Sequence, residues 1–407
     1  MFRYIVIYIS IFSILFLGAT NIGPVSIRNL CIIGLIVYLA MNFKAVSLDL
    51  CGKLYTIYLA ALLLCSIVSG QIFDITFYKN FLTNHIPSLI LILTIPLIIK
   101  SIYDIKIIIG FITLLQLLNC LVSILQFYNI PMGWHLGLAI NPGAISNMND
   151  AEYYLADADN LLSRSIVFGI TSFVVANGYY LATFLPIASN NLLRNDVDIK
   201  GKIISLIMLV ISGITIFMVQ QRMAFFSLIC YLILVLFIQI RKSLLYKLIF
   251  AIILIVIAGL YSGSFDYDLG RLTMEDLHSD SRMRQITNFL TFMNSNDFIW
   301  GADLNDMGLL YSLGHNTLMD ALRRGGFISF LLYLPLFIMV VYKCSCISIN
   351  AFKLNAQYSF ALSIACLLHI AYSFTHSTGL QSGSILFWII YSLMVCSWKY
   401  EKDSVFD

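Results

Sequence analysis

The sequence predicts an all-α fold, a polytopic membrane helix bundle of about twelve transmembrane helices with two long external loops, and three observations predict it. The 407 residues are 60% hydrophobic and only 11% charged, where soluble domains carry about 25% charged residues, and mean hydropathy is +0.90. Apolar runs of about 15 to 25 residues recur along the chain, each long enough to cross a hydrocarbon core of about 30 Å as a helix. The alternation of a membrane β-barrel is absent, and a helix satisfies its backbone polar groups within the segment, as lipid requires. The chain reads as a single integral membrane domain over 1–407.

Taken in order, the spans are expected at about 4–19, 27–43, 54–69, 86–99, 107–129, 165–189, 203–220, 223–240, 248–262, 327–342, 357–373 and 383–398. The first follows Met-Phe-Arg and reads as a span rather than a signal peptide, because no small-residue cleavage site follows it and many more spans do. With a cytoplasmic N-terminus, alternate connections should be rich in Lys and Arg. Arg3, Lys44, Lys53, Lys100, Lys106, Arg194, Lys200, Lys202, Arg241, Lys242, Lys247, Lys343, Lys353, Lys399 and Lys402 all then fall inside, and both termini are expected there. None of the nine cysteines falls in an expected external loop, so no disulfide is expected.

Two external connections are long, at about 130–164 and 263–326, and long ordered loops tend to carry function. The first holds Pro131, Gly133, Pro142 and Gly143, then Asp150, Glu152, Asp157 and Asp159, and reads as irregular. In the second, Ile286, Phe289, Leu290 and Met293 share a helical face between Ser281 and Met293, and a short helix is expected from Gly314, where His315, Met319 and Leu322 align. A further amphipathic stretch, Ile72 to Leu82, is expected along the outer interface.

Arginine is distributed against the orientation bias. Arg28, Arg164, Arg222, Arg271, Arg282, Arg284, Arg323 and Arg324 fall outside, with Lys79 as the one lysine there. For each, headgroup-bound or solvated arginine is the plain alternative. As a set they suit a phosphate ligand, since the guanidinium is a planar fork of donors. Arg222, in the minimal turn Gln220-Gln221-Arg222, is held near the bilayer, where a charge commonly marks a site. Arg164 stands at the entry to the sixth span.

Of six histidines, His315 is set apart by its polar neighbour Asn316 and by Arg323-Arg324 downstream, and an imidazole near neutrality suits a general base. His85, His135, His278, His369 and His376 read as structural or interfacial. No metal-ligand spacing, P-loop or GxGxxG run occurs, so no metal, nucleotide or other cofactor is expected. The net charge of +3 and the lack of a basic cluster with interleaved aromatics argue against nucleic acid.

Trp300-Gly301, then Gly314-His315-Asn316-Thr317-Leu318, then Gly325-Gly326-Phe327 ahead of an apolar span resembles the O-antigen polymerase and ligase superfamily, and the Wzy-type polymerases within it. Proteins of that family carry a His-Asn pair in a large periplasmic loop, followed after nine residues by Gly, as His315-Asn316 is here by Gly326. Arg164 to Gly169 opening a span, and Gln221 to Ala224, match further family features. Where the ligase pattern continues Gly-x-x-Gly/Thr/Tyr, this chain has Ser329.

The resemblance implies a glycosyltransferase of the bacterial inner membrane, multi-pass and active at its periplasmic face. Its substrates would be undecaprenyl-diphosphate-linked oligosaccharides, with membrane lipid around the polyprenyl tail and a chain-length regulator as a further partner. His315 and Arg222 would be catalytic, and Arg164, Arg282, Arg284, Asn316, Arg323 and Arg324 would bind diphosphate or glycan. Polymerisation of repeat units is the leading expectation. Ligation of the glycan to lipid A core shares the donor and site, and a lipid-linked oligosaccharide flippase is the alternative from another class. Transporters commonly show paired repeats and broken helices at midplane, which the sequence does not display.

Overall fold

The computed structural model describes residues 11–12, 21–22, 25–74, 77–78, 81–141, 167–171, 174–193, 197–219, 221–239, 295–301, 317–374 and 380–406. Apart from a two-residue antiparallel pair, Asn21–Ile22 with Val25–Ser26, the regular structure there is helical. The helices are α1 (Ile27–Met41), α2 (Leu50–Val68), α3 (Ile86–Ile98), α4 (Ile102–Phe127), α5 (Pro131–Ile140), α6 (Val174–Ala188), α7 (Ile199–Val219), α8 (Arg222–Gln239), α9 (Ser295–Trp300), α10 (Thr317–Lys353), α11 (Gln357–Ser373) and α12 (Ile385–Phe406).

Among the described residues, five helices are long and apolar enough to cross a membrane: α2, the segment Phe81–Ile98 that contains α3, α4, α7 and α10. α1 and the Met223–Leu236 stretch of α8 are shorter apolar helices. α1–α4, α6–α8 and α10–α12 overlap expected spans, whereas α5 and α9 lie in the expected external loops. The expected spans at 4–19, apart from Ile11 and Phe12, and at 248–262 lie outside the described residues, as does the expected helix from Ser281 to Met293. All nine cysteines are free.

The helix starts are set by short polar side chains. Ser26 caps α1 by accepting from Asn29 N at 3.2 Å, and Asp49 caps α2 by accepting from Gly52 N at 2.8 Å. Before α4, Ser101 Oγ accepts from Asp104 N at 3.3 Å while Asp104 Oδ2 accepts from Ser101 N at 3.1 Å and Lys100 N at 2.7 Å, a reciprocal box that satisfies orphan donors. α11 takes its cap from another helix: Glu401 of α12 accepts from Tyr358 N at 3.1 Å and Ser359 N at 2.8 Å.

The chain forms two compact units, Met1–Ile108 with Asp280–Asp407, and Ile109–Ser279. In the first, α10 packs against α2, α9 and α11, α12 against α11 and α3, and α1 against α3. Its core is aromatic: Tyr55, Tyr58, Tyr333, Phe387 and Trp388 are fully buried, and the Tyr55 and Trp388 rings lie 4.5 Å apart. In the second, α6 packs on α7 and α8, and α7 on α8.

Two elements differ from the sequence expectation. The external loop from about 130 was expected to be irregular, but it opens with α5 (Pro131–Ile140). The short helix expected from Gly314 and the span expected from 327 are both present from Thr317 on, as two helical stretches of α10 separated by a non-helical kink at Gly326 (φ 62°, ψ −171°). The kink is where two chain segments meet: a Cβ on Gly301 (φ 97°) would lie 2.8 Å from Arg324 O, and one on Gly326 would strike the Ile299 carbonyl. Only glycine permits this approach in the left-handed region. Stacking of Phe298 on Phe327, with centroids 5.5 Å apart, closes the same junction.

The second difference is the sixth span, expected from 165, where residues 167–171 form an irregular turn around Gly169 (φ 59°) ahead of α6. Polar residues on one face of α4 hold that turn. Gln126 Oε1 accepts from Phe168 N at 3.1 Å and Gly169 N at 2.8 Å, and Asn119 Oδ1 accepts from Ile170 N at 2.9 Å. Asn177 Nδ2 donates to Ser123 Oγ at 3.0 Å and Val167 O at 3.1 Å, while Asn119 Nδ2 donates to Asn177 Oδ1 at 2.8 Å. Non-helical backbone at such a place needs protein partners in place of water.

Candidate functional site

Asp320, Arg323 and Arg324 lie in the first turns of α10, and their i, i+3 and i+4 spacing carries both guanidiniums to one carboxylate. Arg323 donates to Asp320 Oδ1 from Nη2 at 2.6 Å and from Nε at 3.2 Å, and Arg324 Nε donates to Oδ2 at 2.7 Å. Asp320 is fully buried and Arg323 only 9% exposed.

Distant segments of the same unit complete the cluster. Gln381, in the 3-10 turn Leu380–Ser382, donates Nε2 to Asp320 Oδ2 at 3.3 Å, and its Oε1 accepts from Thr317 Oγ1. With the Thr317 proton committed to Gln381, the Tyr333 hydroxyl, 2.7 Å from Thr317 Oγ1, is the donor to it. Tyr58 OH donates to the Gln381 carbonyl at 3.3 Å. The following Gly383 (φ 68°) lies against the π-helical turn Phe81–His85, where a Cβ would be 2.8 Å from Asn84 C, and Ser88 Oγ donates to the Gly383 carbonyl at 3.0 Å. His85 of that turn is buried and lies 3.2 Å from Tyr55 OH, consistent with its structural reading.

The electrostatics follow from counting charges. Among the described residues two guanidiniums share one carboxylate, which leaves one positive charge over in a place largely closed to water, where an unbalanced charge is costly. Among the described residues, the terminal nitrogens of Arg324 hold no hydrogen bond, and its side chain keeps 19% exposure. A phosphate or diphosphate meets both needs, since it balances the charge and accepts from a planar fork.

Of the expected site residues, Arg323 and Arg324 are thus brought together. Arg222 opens α8 in the second unit, and its side chain lies outside the described residues. The turn before it is shaped by Gly178 of α6, where a Cβ would be 2.5 Å from Gln221 Oε1. Arg164, Arg282, Arg284, His315 and Asn316 lie outside the described residues. Among the described residues no group of three or more His, Cys, Asp or Glu could hold a metal ion.

The sequence reading did not single out Asp320, Gln381, Thr317, Tyr58 or Tyr333. Asp320 had a signal, its spacing from the two arginines; Thr317 and Tyr333 share α10 with it, Gln381 and Tyr58 come from other segments, and none of these four had a pattern of its own. No protein-family model matches the chain, and no curated protein matches it in sequence.

Proposed function

We propose that the chain is a membrane glycosyltransferase of the O-antigen polymerase kind. It would transfer a growing glycan from undecaprenyl diphosphate onto a new lipid-linked repeat unit at the periplasmic face of a bacterial inner membrane. The observation that carries this reading is the buried, net-positive Asp320, Arg323 and Arg324 arrangement immediately after His315-Asn316 in the sequence. The glycine at the nine-residue spacing from that pair, Gly326, is also one that the local backbone demands.

In this reaction the bond from the donor sugar's anomeric carbon to the diphosphate oxygen breaks, and a bond from that carbon to an acceptor hydroxyl oxygen forms. Negative charge grows on the departing undecaprenyl diphosphate. Arg323 and Arg324, with Arg222, Arg164, Arg282 and Arg284, would stabilise it, and guanidinium charge held in place before the reaction is the effective form of such help. His315 would take the proton of the acceptor hydroxyl, and Asn316 would orient the glycan. With arginine neutralising the diphosphate the scheme requires no metal or cofactor. Membrane lipid would hold the polyprenyl tail, and a chain-length regulator is the expected protein partner.

The expected topology of about twelve spans with both termini cytoplasmic fits this reading. Lys343 donates to Asp49 at 2.5 Å, which pairs two connections both expected inside. Asp320, Gln381 and the Phe81–His85 turn, from three connections all expected outside, meet in the other cluster.

The test is a polymerisation assay on the purified chain with lipid-linked repeat units alone. Polymer ladders support the polymerase. Product only when lipid A core is added would replace it with the ligase, against which Ser329 already counts. Loss of flipping rather than of polymerisation on gene deletion would replace it with a flippase.

A further inference from the structure

At the Asp49 level of the first unit, a cavity of about 390 Å³ opens between α3, α12 and the segment leading into α2. Its lining combines apolar residues, with Leu93, Pro96 and Leu97 from α3 and Val395 from α12, and the two lysines Lys100 and Lys399. Asp49 is its one acidic wall residue, and that carboxylate is committed. Oδ2 accepts from Lys343 Nζ at 2.5 Å and Tyr391 OH at 2.6 Å, and Oδ1 accepts from Gly52 N at 2.8 Å.

Lys100 and Lys399 are exposed and, among the described residues, form no ion pair, so their two positive charges stand uncompensated. Both line the same recess as Cys396.

We propose that this cavity binds the phosphate headgroup of an anionic phospholipid. Two lysine point charges suit a phosphodiester. The apolar residues of the same lining suit the glycerol and first methylenes of a lipid better than a free inorganic ion. Lysines at a helix-bundle recess on the cytoplasmic side attract anionic headgroups, each contributing by its nearness to the surface. The site is separate from the Asp320 cluster and does not depend on the reaction proposed above.

The test is native mass spectrometry of the full chain titrated with phosphatidylglycerol, phosphatidylcholine or inorganic phosphate. Phosphatidylglycerol is expected to bind roughly tenfold or more tightly than phosphatidylcholine, since two lysines act on the anionic lipid. K100Q/K399Q is expected to abolish that preference and K100R/K399R to keep it, which separates loss of charge from loss of fold. Equal binding of the two lipids to the unaltered chain, or an undiminished preference in K100Q/K399Q, would overturn the proposal. Inorganic phosphate occupying the site and displacing phosphatidylglycerol at similar concentration would also overturn it, in favour of a free-anion site.

Discussion

Arg324 reaches back one helical turn to Asp320, donating from Nε at 2.7 Å to a carboxylate that has no exposure to solvent. Arg323 approaches the same carboxylate through its other oxygen. Removing Asp320 therefore leaves two buried guanidiniums facing each other. D320A should lower stability by about 3–5 kcal/mol, the usual cost of breaking a buried pair by deleting one partner. Thermal unfolding in detergent checks this, and a change below about 1 kcal/mol would mean that the cluster is open to water.

The junction between Gly301 and Gly326 makes a second prediction. Both have positive φ, and each lies where a Cβ would press on backbone atoms of the opposing segment. G301A and G326A should each cost about 1–3 kcal/mol or more, because backbone strain and backbone overlap add. A control substitution at Gly110, where a Cβ meets nothing within 4 Å, should cost far less.

The turn at residues 167–171 rests on α4. Q126L would strip acceptors from Phe168 N and Gly169 N, and each buried donor so orphaned costs about 1–3 kcal/mol. Hydrogen exchange at those two amides reads the effect directly. Protection should fall in Q126L, and unchanged protection would show that other groups hold the turn.

Asp49 gives a pH dependence. Burial alone would raise its pKa, but hydrogen bonds from Lys343 and Tyr391 and the Lys343 charge outweigh burial and hold the carboxyl below its ordinary value. A depressed carboxyl stabilises the fold above its unfolded pKa of about 3.9, and that contribution disappears as pH falls through the lower folded value. D49N should therefore unfold at lower temperature than the unaltered chain at pH 7, with the difference shrinking below about pH 4. A difference independent of pH would assign the effect to packing.

At the proposed reaction centre, H315A and R222A should abolish polymer while leaving membrane insertion intact. R222K should recover only part of the activity, because lysine lacks the bidentate fork. Losses of roughly 10²–10³-fold are expected where one charge-stabilising donor is removed. Full-length polymer from both alanine variants would exclude them from the site.

Much of the bundle is legible in the sequence because a helix in lipid needs only an unbroken apolar run, and α11, expected at 357–373, spans Gln357–Ser373. The start of α6 is not legible. Ile166 to Thr171 reads as part of an apolar run, yet at residues 168–170 the backbone N–H groups donate to the side-chain oxygens of Gln126 and Asn119, over forty residues upstream, in place of helical partners. The candidate site divides the same way. Arg323 and Arg324 stand out by residue type, whereas Gln381 and Tyr58 join them only through tertiary packing, and neither has a pattern of its own. Gly326 is legible as a spacing, but its reason, the passage of Gly301 across it, belongs to the fold.

Binding of undecaprenyl diphosphate to the purified chain tests the role of the arginine pair most directly, without any glycan or turnover. R324Q, which keeps Arg323 on Asp320 and removes the uncompensated charge, should weaken binding at least about tenfold and flatten its salt dependence. Equal affinity and an equal salt response in R324Q and the unaltered chain would contradict the assignment of this cluster to the diphosphate.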